Sequence, residues 1–339
     1  MIRTLCGLFI LIFLSSGCGL LKDKTYTLSQ AEEKLVEFCA REGETAIATR
    51  RQGRTQWIYL PMEDPLFDFK LSPGHGHTKK KIPPLMLLSL EGQYTEGTFS
   101  FDYDTITDVI PPDPTDYGSA YTETYIKKRQ LIYQALQETF FNLDDDEETR
   151  DSAPLFFVIV IADTSKGLAT RSTVYFSDIR GYLTAAIPPD EYYLRERIEI
   201  IGDEEMIGNT TGEGLEFNDV AWPEFLAEQI KFRARFKFTQ SDFPPESDPG
   251  QTIAGIAVNT LRFYPFKEYD RIVTTDIRAK NSKTYTKEDF VLLEEKPLWE
   301  KNASRMHVIR FSPTTMGIDT NLTSDKEEDS QNHSGLSWE

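Results

Sequence analysis

Few residue types in this 339-residue chain are spaced for chemistry, and the most regular set is cationic. Residues 230–238 (IKFRARFKF) alternate basic and apolar side chains throughout. On an extended strand, Lys231, Arg233, Arg235 and Lys237 would face one way, and Ile230, Phe232, Ala234, Phe236 and Phe238 the other. Such a face suits an anionic partner: a phospholipid or lipopolysaccharide headgroup, a glycan carboxylate or an acidic protein. The same pattern also blocks aggregation at sheet edges or pairs with acids across a sheet, and Ser100, Asp102 and Asp104 form an acidic strand face of matching period. His75-Gly76-His77 has the spacing of a shared metal site. Lys79, Lys80 and Lys81 follow closely and repel a cation, so the expectation there is an exposed loop without metal. Neither Gly-x-Ser-x-Gly nor His-Glu-x-x-His occurs. Carboxylates are plentiful, which leaves open a hydrolase using paired acids near the end of the apolar run 155–162.

The N-terminus carries a different pattern. Arg3 precedes an apolar stretch from Leu5 to Leu14, followed by Ser15-Ser16-Gly17-Cys18. A positive charge, a short apolar run and small residues before a cut site are the parts of a secretory signal. The run is about half the roughly 20 residues a membrane span requires. Cys18 directly after those small residues resembles the lipobox of bacterial lipoproteins, with Ser15 where leucine is more usual. The resemblance implies cleavage before Cys18, diacylglycerol on its sulfur and a fatty acid on its new amino group. Ordinary signal cleavage near Gly17 or Gly19 is the alternative. Gly19, rather than aspartate, after the cysteine implies sorting to the outer membrane, facing the periplasm, where the organism has two membranes. Two further runs resemble known sites weakly. Asp163-Thr164-Ser165-Lys166-Gly167 is similar to the metal-binding Asp-x-Ser-x-Ser of von Willebrand A domains, but Gly167 removes the last hydroxyl ligand. Residues 208–214, from Gly208 to Gly214, resemble a phosphate loop loosely, with Glu213 opposing an anion. No cofactor is expected.

Composition bounds the rest. Hydrophobic residues make up 39% and aromatics 12%, enough to fill a core. Net charge is −18, with residues 144–151 (DDDEETRD) and the tail from Pro313 each contributing six acids against a single base. This balance argues against nucleic acid as a partner. Cys6 lies in the signal and Cys18 is the lipid site, which leaves Cys39 as an unpaired thiol on a helix beside Leu35 and Phe38.

Periodicity then places the elements. Ser29 to Glu32 reads as a capping box opening a helix to about Glu42. Residues 45–50 and 55–60 read as a hairpin, and 61–97 as irregular. Residues 98–104 alternate as a half-buried strand, and 121–143 form a helix. The run 155–162 (LFFVIVIA) reads as a strand buried on both faces. Strands at 172–177 and 197–201, a helix at 179–186 and another at 219–229 follow, with 253–264 ambiguous and 270–279 extended. The expectation is α+β, a mixed sheet with helices packed on it. It comprises a signal (1–17), a lipidated tether (18–28), possible lobes at 29–143 and 152–312 divided by the acidic run, and a disordered tail (313–339). The function expected is that of a lipid-anchored envelope protein with a non-enzymatic binding or assembly role, its partners a membrane lipid and an envelope protein, glycan or headgroup.

Overall fold

The structure is a computed structural model that describes residues 25–70, 85–109, 118–144, 147–239 and 247–293. Helix α1 (Leu28–Gly43) leads into a hairpin of β1 (Ala48–Gln52) and β2 (Thr55–Met62). After β3 (Phe67–Lys70) come the long strands β4 (Leu85–Thr95) and β5 (Thr98–Val109), then β6 (Gly118–Tyr121). Helices α2 (Glu123–Thr139) and α3 (Glu147–Ser152) precede the hairpin of β7 (Phe156–Asp163) and β8 (Leu168–Tyr175). Two short helices, α4 (Phe176–Leu183) and α5 (Pro189–Arg195), lead to β9 (Arg197–Gly202). Helices α6 (Trp222–Phe238) and α7 (Pro249–Arg262), the hairpin of β10 (Arg271–Asp276) and β11 (Asn281–Thr286), and α8 (Lys287–Leu293) complete the described elements. The class is α+β, with two mixed sheets and helices packed on them.

The first sheet has the order β1-β2-β7-β8-β9, with β2 and β7 parallel and the other neighbours antiparallel. Its centre is β7, the continuous apolar run, buried at every position as expected. Phe157, Ile159 and Ile161 pack with Leu35 of α1, Leu136 of α2 and Ile179 of α4. On the opposite face Val158, Val160 and Ala162 meet Trp57, Tyr59 and Met206, with Leu215 and Phe217 of the following loop closing over them. The second sheet has the order β11-β10-β5-β4. The alternation of residues 98–104 buries Phe99, Phe101 and Tyr103 against α6 and α7 and leaves Asp102 exposed.

Four expectations are corrected. The acidic run 144–151 is not a seam between lobes: β2 lies beside β7, and β5 lies parallel to β10, so both sheets combine strands from before and after it. The reason is in β2, whose TQWIYLPM is buried almost throughout; a two-stranded hairpin cannot cover a strand so apolar, and β7 completes it. Residues 230–238 are helical rather than extended, continuing α6 to Phe238. Leu226, Ile230, Ala234 and Phe238 are four apart, a spacing that satisfies both a two-residue period and one face of a helix. No glycine or proline interrupts the helix opened by Pro223, so it propagates through the alternating run. Within 61–97, expected to be irregular, β3 and β4 form; the apolar Leu85–Leu90 pairs with β5 across the Glu96-Gly97 turn. Finally, α1 is capped two residues earlier than expected, Thr27 accepting from Gln30 N (3.3 Å) and Gln30 Oε1 from Thr27 N (3.0 Å). The signal, Cys18, the His75–His77 pair and the tail from 313 lie outside the described residues.

Candidate functional site

Because α6 is a helix, residues two apart point about 200° away from each other. The four basic side chains therefore do not share a face. Lys231 is buried and pairs with Glu228 (2.7 Å) and Glu91 (3.7 Å). Arg235 shares that side, donating to the Leu90 carbonyl of β4 (2.6 Å). Arg233, on the far side, is buried against Glu191 (2.7 Å), while Lys237 has no ion-pair partner among the described residues. The expected cross-strand acids are elsewhere, Asp104 pairing with Arg278 (3.1 Å). The face proposed to take an anionic partner is thus absent, and three of its four cations are internally occupied.

Arg233 instead enters a buried polar network that sequence spacing did not reveal. Its guanidinium and that of Arg195 both donate to Glu191 Oε1, each at 2.7 Å. Arg195 also donates to Asp178 Oδ1 (2.8 Å), so α4, α5 and α6 are tied by charge. The Tyr264 hydroxyl, just beyond α7, sits 2.9 Å from Asp178 Oδ2 and 2.7 Å from Gln229 Oε1. Gln229 returns a bond to the Arg195 carbonyl. Phe263 covers the arginines, its ring centre 4.4 Å from the Arg195 guanidinium carbon and 5.6 Å from that of Arg233. A second group lies alongside, where Arg129 of α2 pairs with Glu196, and Tyr133 stands 2.9 Å from the Tyr192 hydroxyl. Three carboxylates (Asp178, Glu191, Glu196) meet three arginines (Arg129, Arg195, Arg233), so this polar seam between the helices of the two sheets carries no net charge.

Protonation follows from who touches whom. Burial alone would raise Glu191, but Arg233 and Arg195 outweigh it and hold its carboxyl below the ordinary glutamate range. Asp178 has one arginine and a tyrosine, and there burial prevails and raises it. Burial and then the Asp178 charge push Tyr264 far above its usual value, so its hydroxyl stays a donor. These are the marks of a clamp: each ionised group is held by internal partners, and the desolvation cost of burial makes its partner indispensable. Replacing Arg233 by glutamine, which leaves Glu191 still held by Arg195, is expected to lower unfolding free energy by about 1–3 kcal/mol, against within about 0.5 kcal/mol for Lys237→Gln. Urea unfolding of the two variants checks this.

Two clefts among the described residues do not bring two unpaired carboxylates together. One, of about 260 Å³, lies between β9 and α6 and includes Glu196, Glu199 and Glu228. Glu196 is bonded to Arg129 and Glu228 to Lys231. Glu199 is shared by Arg171 and Arg197. Despite burial, those arginines hold Glu199 below the usual range, the opposite of what a general acid needs. A second cleft of about 360 Å³ runs between β1 and residues 211–217 and holds Glu213 and Arg50. At the end of β7, Asp163 Oδ1 accepts from Ser165 N (3.0 Å), Ser165 Oγ (2.6 Å) and Lys166 N (3.2 Å), which closes the β7–β8 turn. No three His, Cys, Asp or Glu side chains cluster as metal ligands among the described residues. Gly208–Gly214 is a loop ordered by Asn209, whose Oδ1 accepts from Gly212 N (2.8 Å). Cys39 is buried in α1, and desolvation pushes its thiol up to about 11, so it packs rather than reacts. The network was legible only in part: Glu191 and Arg195 are four apart, but Asp178, Gln229 and Tyr264 meet through the fold alone. No family model, curated protein or solved structure matches this chain.

Proposed function

We propose that this chain is a lipid-anchored cell-envelope protein with a non-enzymatic binding or assembly role. The observation that carries this reading is Ser15-Ser16-Gly17-Cys18 behind a short apolar run. Acylated Cys18 would hold the body through some ten residues before α1, a tether of at most about 35 Å. Gly19 directs it to the outer membrane, facing the periplasm, in an organism with two membranes. No helix among the described residues is long and apolar enough to cross a membrane. Consistent with a structural use of these groups, the buried carboxylates Asp178, Glu191 and Glu196 are each bonded to internal arginines. The partner is an envelope protein, a glycan or a lipid headgroup.

Capture from solubilised envelopes tests the role. The intact acylated chain and a bait bearing only its first 28 residues are compared, with components identified by mass. Reproducible enrichment of one envelope component by the intact chain is the expected result. Equal recovery by both baits, together with turnover of a glycan or ester substrate, would overturn it.

A further inference from the structure

Three of the four outer edges of the two large sheets carry a visible defence against strand addition. β1 presents Arg50 and Arg51, β11 is polar along its length with Lys283, and β4 runs beside α6, whose Arg235 bonds the Leu90 carbonyl. Charge and cover are the usual devices that keep an edge from pairing with another chain. β9, with sequence RIEIIG, carries Arg197 and Glu199, but these pair with each other along the strand, no proline or helix covers its outer side among the described residues, and Ile200 is 62% exposed on it.

The ladder phase shows which backbone groups that edge offers. Phe176 N donates to Leu155 O (2.8 Å) and Asp203 N to Gly167 O (2.8 Å). Even-numbered residues of β8 therefore bond β7, and odd-numbered residues of β8 bond Arg197, Glu199 and Ile201 of β9. The N–H and C=O groups of Ile198, Ile200 and Gly202 point outward, and none meets a partner among the described residues.

We infer that the β9 edge is a self-pairing surface, where β9 of a second copy of this chain adds antiparallel about a two-fold axis at Ile200 and joins the two five-stranded sheets into one. The register follows from charge. With the axis at Ile200, the outward groups of Ile198, Ile200 and Gly202 meet those of Gly202, Ile200 and Ile198. Ile200 then packs on its own copy, and Arg197 stands opposite Asp203 at both ends. Asp203 is available for this, since Oδ1 accepts only Glu205 N (2.9 Å) and no cation pairs with it among the described residues. It would enter the cleft beside β9 that already contains Arg197 and Arg235. Neighbouring registers fail: an axis at Glu199 sets two glutamates face to face, and one at Ile201 sets Glu199 against Asp203. An axis at Ile198 pairs only the first three residues of the strand before running into buried Glu196.

The test uses the full-length chain in detergent micelles. Opposed hydrogen-bonded residues lie about 5.5 Å apart at Cα, within disulfide range. Ile200→Cys is therefore expected to oxidise to a covalent dimer. Ile207→Cys, 56% exposed but outside β9, is the control expected to stay monomeric. Arg197→Asp sets two acids opposite each other at both ends and is expected to weaken the dimer about tenfold or more. Arg197→Asp with Asp203→Arg is expected to restore it, which separates pairing from misfolding. Equal crosslinking at positions 200 and 207, a monomer by sedimentation at every concentration, or a double variant no tighter than the single one would overturn the inference. So would protection of β9 amides from exchange only when another envelope protein is added, which assigns the edge to a foreign strand.

Discussion

Glu191→Gln is expected to lower the free energy of unfolding by about 3–5 kcal/mol. The substitution keeps the side-chain volume but removes the charge that Arg195 and Arg233 both approach at 2.7 Å. Both guanidiniums are at least nine-tenths buried, so water does not replace the lost carboxylate. Glu199→Gln serves as the contrast. It also breaks arginine pairs, with Arg171 and Arg197, but on a partly solvated strand edge, where the expected cost is at most about 1 kcal/mol. Chemical unfolding monitored by tryptophan fluorescence compares the two, and equal midpoints would sink the clamp. The pH dependence carries a sign. Glu191 is depressed in the folded chain, so its contribution is present above the ordinary value of 4.5 and is lost as pH falls through its lower folded value. Asp178 is raised, so its contribution runs the other way: it is fully present below the ordinary 3.8 and is lost as pH rises through its elevated folded value. The stability gap between wild type and Glu191→Gln is therefore expected to narrow on acidification below pH 4.5, whereas a gap independent of pH would assign the loss to packing rather than charge.

Cys18→Ala is expected to abolish fatty-acid incorporation and to release the body from the membrane fraction. With about 0.8 kcal/mol for each buried methylene, two or three acyl chains dominate the attachment, so the change in partition is all or none rather than graded. Metabolic labelling with a fatty acid and fractionation of wild type and variant check it. Label persisting on the variant would show that Cys18 is not the acylated residue. An unlabelled wild type, processed near Gly17, would replace the anchor with simple secretion.

Where a local pattern admitted one geometry, the element could be read directly. LFFVIVIA between Pro154 and Asp163 can only satisfy its surface between two layers, and β7 lies there. The alternation of residues 98–104 likewise placed Phe99, Phe101 and Tyr103 inside. Patterns compatible with two geometries misled. In 230–238 the four-residue apolar spacing fits strand and helix alike, and helix continuity from Pro223 decided between them. β4 was hidden because proline, glycine and lysine dominate the residues before Leu85, although its own apolar stretch and the turn to β5 are present.

The sequence by itself determined the α+β class, the buried central strand and the inward face of β5, because each depends on residues within a few positions of one another. Only the tertiary structure decided that β2 pairs with β7, that the basic run is divided between two sides of a helix, and that Arg233 belongs to a clamp with Glu191, Asp178 and Tyr264. The reason is separation along the chain: Arg233 and Glu191 are 42 residues apart, and Tyr264 and Asp178 are 86 apart. Spacing within a segment sets which way side chains point, but which charges are brought together, and how much water they lose, depends on how distant segments pack.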